Sequence, residues 1–154
     1  MRFFIGLAIL FTGLHSLAYV GMDECWDVNN QPVRIQQTMA LRQAAESTIA
    51  NGLPTILLHP QMMGQYPQDV QQFIVAHECS HHRQGHVVSH HYGNTLPLTS
   101  EFDADCMAVR TMKDLGLLNG YVLQNIQRFL NSLSADATHP AGQHRAQYAR
   151  QCAQ

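Results

Sequence analysis

The stretch HECSHHRQGH, residues 77–86, restricts this chain more than any other. Its first five residues, His77-Glu78-Cys79-Ser80-His81, form an HExxH. On an α-helix, residues four apart lie one turn apart and only about 40° around the axis. Both imidazoles then reach one metal ion. Glu78 lies about 100° round from His77, where its carboxylate reaches a metal-bound water without becoming a ligand. Two neutral nitrogens beside a base are what a zinc hydrolase needs. The apolar run VQQFIVA before His77 is suited to bury that helix and hold the pair in place.

A catalytic zinc takes a third protein ligand and keeps a fourth position open. His86 is one candidate, but HExxHxxGxxH needs its third histidine one residue later and a glycine at the turn. Those positions hold Val87 and Gln84. Glu101 is the better third ligand. It opens EFDAD on the next long helix, and Asp105 follows on the same face one turn later. Asp105 is then placed to accept the free N–H of a ligand histidine, His77, and so to fix its tautomer. His82 turns about 100° away from His81, toward solvent or the outer shell of the site. Asp103 faces solvent, as do His90 and His91 in the loop beyond.

Composition excludes several other roles. The net charge is -2 and the only lysine is Lys113, so no basic surface for nucleic acid or an anionic membrane is expected. The N-terminus reads as an export signal: Arg2, an apolar run from Phe3 to Leu14, then Ser16-Leu17-Ala18 with small residues at −3 and −1. Cleavage after Ala18 leaves one domain, residues 19–154, with no further apolar run of spanning length. The mature protein is expected in a periplasm or secreted. All four cysteines follow that cleavage point, and an even count in an exported chain implies disulfides. Of the three pairings open to four cysteines, Cys25–Cys152 with Cys79–Cys106 is the favoured one.

The pattern predicts a mainly helical α+β chain. Val33, Ile35, Met39, Leu41, Ala45 and Ile49 give a helix over 31–49, stopped by Asn51-Gly52. Thr55-Ile56-Leu57-Leu58 reads as an edge strand between prolines. Helices follow over 68–86, from Thr99 or Ser100 as cap to Gly116, over 119–133, and over 141–152, with loops at 86–97 and 134–140. Val122, Leu123, Ile126, Phe129, Leu130 and Leu133 form a core stripe on the third of these.

HECSH, then EFDAD, then THPAGQHR together resemble the gluzincin metallopeptidases, and are most similar to their M48 group. His77, His81 and His86 match that group's HExxHxxxxH. Glu101, Ala104 and Asp105 match its ExxxD with a preceding alanine. Thr138, His139, Pro140 and Arg145 match its Thr-His-Pro with a later arginine. The resemblance spans about residues 54–150 and implies a small zincin-like domain. It implies one zinc ion on His77, His81 and Glu101, with Glu78 activating the water. It further implies that His139 stabilises the oxyanion, with Arg145 positioning or assisting it, and that the 55–58 strand pairs with a peptide or unfolded-protein substrate. The rival is a non-catalytic zinc protein: a metal buffer using the His77–His91 cluster, or an inactive peptide binder. Storage needs neither a base nor an oxyanion stabiliser, so Glu78, Asp105 and His139 weigh against it.

Overall fold

The structure, a computed structural model, describes residues 24–154. The export signal and its cleavage site lie outside the described residues. The chain is α+β: β1 (Arg34–Gln37), β2 (Ala45–Ala50), β3 (Leu53–Leu58), α1 (Pro60–Met63), α2 (Gln68–Arg83), α3 (His86–His91), α4 (Thr99–Asp114), α5 (Gly120–Asn131) and α6 (Gly142–Cys152). The sheet order is β1-β3-β2, with β1 parallel and β2 antiparallel to β3.

The helix expected over 31–49 is absent; that region holds β1 and β2. The physical reason is Asn51-Gly52. Both residues have positive φ, 52° and 76°. They form the two-residue turn that joins antiparallel Ala50 and Leu53. Two consecutive positive-φ residues match the right-handed twist of a hairpin, so this pair folds β2 onto β3 instead of ending a helix. Ser47, Thr48 and Ile49 also suit a strand better than a helix.

β3 is the central strand, not an edge, which corrects the second expectation. β1 begins opposite Thr55, so Pro54 lies past its end and deprives no partner of a hydrogen bond. Thr55, Ile56 and Leu58 are buried beneath α2. The free edge beside α2 and α3 therefore belongs to β2.

α2 packs against α4, α5 and the sheet, and α6 packs on α4 and α5. Phe73, Val75, Met112, Ile126 and Leu130 are among the fully buried side chains between them. α2 stops at Arg83 and not at His86, because Gly85 takes the left-handed conformation at φ 74°. The chain then restarts as α3, where a loop was expected. α4 begins at Thr99 without a side-chain cap, so neither Thr99 nor Ser100 caps it. Asn119 does cap α5, accepting from the backbone N–H of Tyr121 and Val122.

The disulfides are Cys25–Cys79 and Cys106–Cys152, in place of the expected pairs. The N-terminal segment crosses the end of α2, where the Val28 N–H donates to the His82 carbonyl at 3.0 Å. That brings Cys25 to Cys79. α6 lies along α4, which brings Cys152 to Cys106. The two bonds fit an oxidising, exported setting. No helix among the described residues is long and apolar enough to cross a membrane.

Candidate metal centre

α2 and α4 bring His77, His81 and Glu101 together, all buried. One ligand atom from each lies within 4.8 Å of the others. His77 Nε2 is 3.1 Å from His81 Nε2. Glu101 Oε1 is 3.3 Å from His81 Nε2, and its Oε2 is 3.5 Å from His77 Nε2. Two imidazole lone pairs facing each other at such a distance repel unless a proton or a metal ion lies between them. This group can hold a metal ion. The Glu101 Oε2 is buried and makes only ion-pair contacts, without an aligned hydrogen bond, which leaves a lone pair for an ion.

Behind the ligands lies a charged layer. Asp105 is wholly buried, with Oδ1 2.9 Å from His77 Nδ1. Arg145, on α6, grips the same carboxylate from the other side, donating from Nε to Oδ2 at 2.7 Å and from Nη2 to Oδ1 at 2.8 Å. Its Nη1 lies 3.1 Å from Glu101 Oε2. Two buried carboxylates thus share one guanidinium, whose planar fork suits that geometry. Arg145 was expected to assist His139; the structure gives it Asp105 and Glu101 as partners instead.

These contacts move the ionisations. Burial works against a charge on His77, but the Asp105 and Glu101 carboxylates overcome it and raise its pKa to about 10. Burial alone would raise Glu101, yet His77 and His81 hold its carboxyl well below the usual range. Asp105 is likewise held down against burial, by Arg145 first and His77 next. His86 approaches from α3 and places Nδ1 3.0 Å from His81 Nδ1, while His77 Nδ1 faces Asp105 as an ion-pair contact without an aligned hydrogen bond. Burial, and then His81, lowers the pKa of His86.

Glu78 lines the cleft in front of this group, as does His139. His139 sits in a tight turn whose organiser, Asp136, escaped the sequence reading. Asp136 Oδ1 accepts from the backbone N–H of Thr138 at 2.7 Å and of His139 at 2.8 Å, and from the Thr138 hydroxyl at 2.8 Å. His139 Nδ1 lies 3.0 Å from the same carboxylate, which leaves Nε2 as the free ring nitrogen. These donors hold the exposed Asp136 carboxyl well below its ordinary pKa. An aspartate two and three residues before Thr-His is the signal that marks such a turn.

His82, expected toward solvent or the outer shell of the site, is fully buried and faces the sheet, with Nε2 3.1 Å from the Thr55 carbonyl. It ties α2 to β3, and burial lowers its pKa. His90 and His91 are exposed on α3. His59 caps α1 through Nδ1. No family model, curated protein or solved structure matches the chain.

Proposed function

We propose that this protein is an exported, zinc-dependent endopeptidase of the gluzincin type. The observation that carries the reading is the spacing of the three donors. Donors about 2.0–2.2 Å from a tetrahedral zinc lie roughly 3.2–3.6 Å from one another. Here the two Nε2 atoms are 3.1 Å apart, and the Glu101 carboxylate spans them, with Oε1 3.3 Å from His81 Nε2 and Oε2 3.5 Å from His77 Nε2; one donor atom from each residue falls within 4.8 Å of the others. His₂Glu is a donor set that suits zinc and leaves room for a further ligand, and the Asp105 and His86 contacts are those a ligand histidine needs.

His77, His81 and Glu101 would hold the ion, which when bound supplies Lewis acidity to a water and a peptide carbonyl. The chain supplies the remainder. Glu78 takes the proton of the attacking water at its carboxylate and delivers it to the departing amine. His139 donates from Nε2 to the carbonyl oxygen as negative charge collects there. Asp136 and the Thr138 hydroxyl face Nδ1 and hold the ring. Asp105 and Arg145 keep His77 and Glu101 aimed into the cleft. β2, whose residues Glu46–Ile49 border the cleft, offers its free edge to an extended peptide.

The test is purified protein, wild type beside Glu78→Gln, with bound zinc and casein cleavage measured on both. One zinc in each, with cleavage only in the wild type, is the expected result. Undiminished cleavage by Glu78→Gln would overturn the mechanism. Absence of tight zinc in both would overturn the metal centre.

A further inference from the structure

The HExxH motif carries a cysteine inside it, and that cysteine is bonded. Cys79 stands midway between His77 and His81 and is joined to Cys25. Helix geometry says what such a bond can do. Measured around the α2 axis from His77, His81 lies at about 40°, so the ion would lie at about 20°. Cys79 lies at about 200°, behind the donors, and His82 at about 140° is also toward the rear. In front of α2, Glu101 and Asp105 of α4 face the two ligand histidines. Behind it stand the Thr55 carbonyl, which meets the His82 ring, and the segment 25–33, which crosses the end of α2 as a strap.

The strap is well ordered within itself. Asp27 is buried, and its Oδ1 accepts from the backbone N–H of Asn29 at 2.9 Å and of Gln31 at 2.7 Å. The Asp27 N–H donates to the Gln31 carbonyl at 2.9 Å, and the Val33 N–H donates to the Cys25 carbonyl at 2.8 Å. Trp26 pairs with Pro32 across this turn. The hold of the strap on α2 is slighter. Trp26 and Val28 are exposed, so burial of their side chains adds little to it. Three ties reach α2 and its end: the Val28 N–H to the His82 carbonyl at 3.0 Å, the Val28 side chain lying against Gly85, and the Cys25–Cys79 bond. Only the last is covalent. Without it the strap can lift, and the rear of α2 loses its fixed support beside the donors.

We propose that the Cys25–Cys79 bond braces the metal centre: it pins α2 from behind, keeps His77 and His81 turned toward Glu101, and raises the affinity of the three donors for zinc. Cys25 is thereby a positioning residue for ligands it does not touch. This brace presupposes the metal centre of the reading above and needs no peptide cleavage. It also ties metal capture to the compartment. In a thiol-reducing interior Cys25 and Cys79 are thiols, and the donors are loosely held. Oxidation by thiol–disulfide exchange forms the S–S bond, and the two electrons and two protons of the pair pass to a disulfide oxidant, which leaves as two thiols. The brace then closes, and zinc is taken up tightly after export.

Two measurements test the brace. Zinc affinity is read by competition with a chromophoric chelator for the oxidised wild type, for Cys25→Ser and for Cys25→Ser with Cys79→Ala. Both variants should bind zinc roughly tenfold or more weakly while far-UV circular dichroism is unchanged. Cys25→Ser leaves every residue of α2 in place, so its loss belongs to the strap. In the second measurement the wild type is equilibrated in a glutathione redox buffer, with free zinc either saturating or removed by chelation. Two glutathione thiols give the pair two electrons and two protons and leave as one glutathione disulfide. Alkylation and mass spectrometry then give the ratio of bonded to reduced Cys25–Cys79. Coupling between two equilibria is reciprocal, so zinc should raise that ratio by roughly the same tenfold. A folded Cys25→Ser that melts lower but binds zinc within about twofold of the wild type shows a plain structural staple and overturns the brace. A ratio indifferent to zinc overturns it too, and decides the matter alone if Cys25→Ser does not fold. Tight zinc on the wild type in either case leaves the metal centre standing. Absence of tight zinc on the oxidised wild type overturns the metal centre and the brace together.

Discussion

The metal-ligating side of the cleft and the His139 side are built on opposite principles. His77, His81, Glu101, Asp105 and Arg145 are all less than 9% exposed and come from three helices far apart in sequence. Their positions depend on tertiary packing and on a balance of buried charge. His139 and Asp136 lie on a turn between α5 and α6, and four residues of chain suffice to make their contacts. One side is rigid because it is buried, the other because its backbone and side chains satisfy each other locally. Damage to the first should appear in folding and metal content, and damage to the second in turnover alone.

The strongest way to break that contrast is Arg145→Met. It leaves two buried carboxylates with only His77 as a cationic partner, so the metal-free protein should lose about 3–5 kcal/mol of stability, read by urea unfolding. A loss under 1 kcal/mol would mean that solvent reaches those groups. Next comes His139→Ala. It should lower kcat by about 10²–10³-fold with zinc content and melting temperature unchanged. A large drop in melting temperature would show that this turn, too, holds up the fold. Asp105→Asn should weaken zinc binding by about 10–100-fold, measured by competition with a chelator. Equal affinity in that variant would remove the orienting role of the buried layer.

A further effect concerns pH. In the metal-free protein the raised pKa of His77 means its stabilising contribution is complete below 6.5 and disappears as pH climbs through about 10. The depressed carboxyls of Glu101 and Asp105 contribute above their ordinary values of 4.5 and 3.8, and lose that contribution as pH falls through their lower folded values. Metal-free stability should therefore peak between about pH 5 and 6.5 and decline on the alkaline side. A flat profile from pH 6 to 10 in chemical denaturation would contradict the His77 ion pairs. Titration of the Asp136 turn should leave the alkaline side of this profile untouched, because its depressed carboxyl is ionised throughout that range.

What could be read from the sequence follows the same division. His77, Glu78 and His81 share one helix, so their relation follows from helix geometry. Asp105 belongs to Glu101 by the same rule. These are local periodicities, and they survive whatever the remainder of the chain does. Arg145 could be singled out by number but not by partner, since nothing local says that α6 lies across α4. The cysteine pairing failed for the same reason: it depends on which helices neighbour each other. The helix expected over 31–49 failed differently. Spacings of two and four residues between apolar positions fit a strand and a helix about equally, and the evidence that decides, two positive-φ residues at Asn51-Gly52, also fits a helix end. His82 was misassigned because a helix buried on nearly every side has no solvent face to predict.

Arg145 lies 40 residues after Asp105 along the chain. A chain delivered N-terminus first, from a ribosome or through a membrane, presents His77, His81, Glu101 and Asp105 well before the guanidinium that balances them. Domains settle as their parts arrive, and until Arg145 does, the two buried carboxylates have His77 alone to balance them, which makes closing around them costly. The guanidinium that faces both carboxylates arrives only with α6. A nascent chain carries its HExxH long before it carries the guanidinium that faces Asp105 and Glu101.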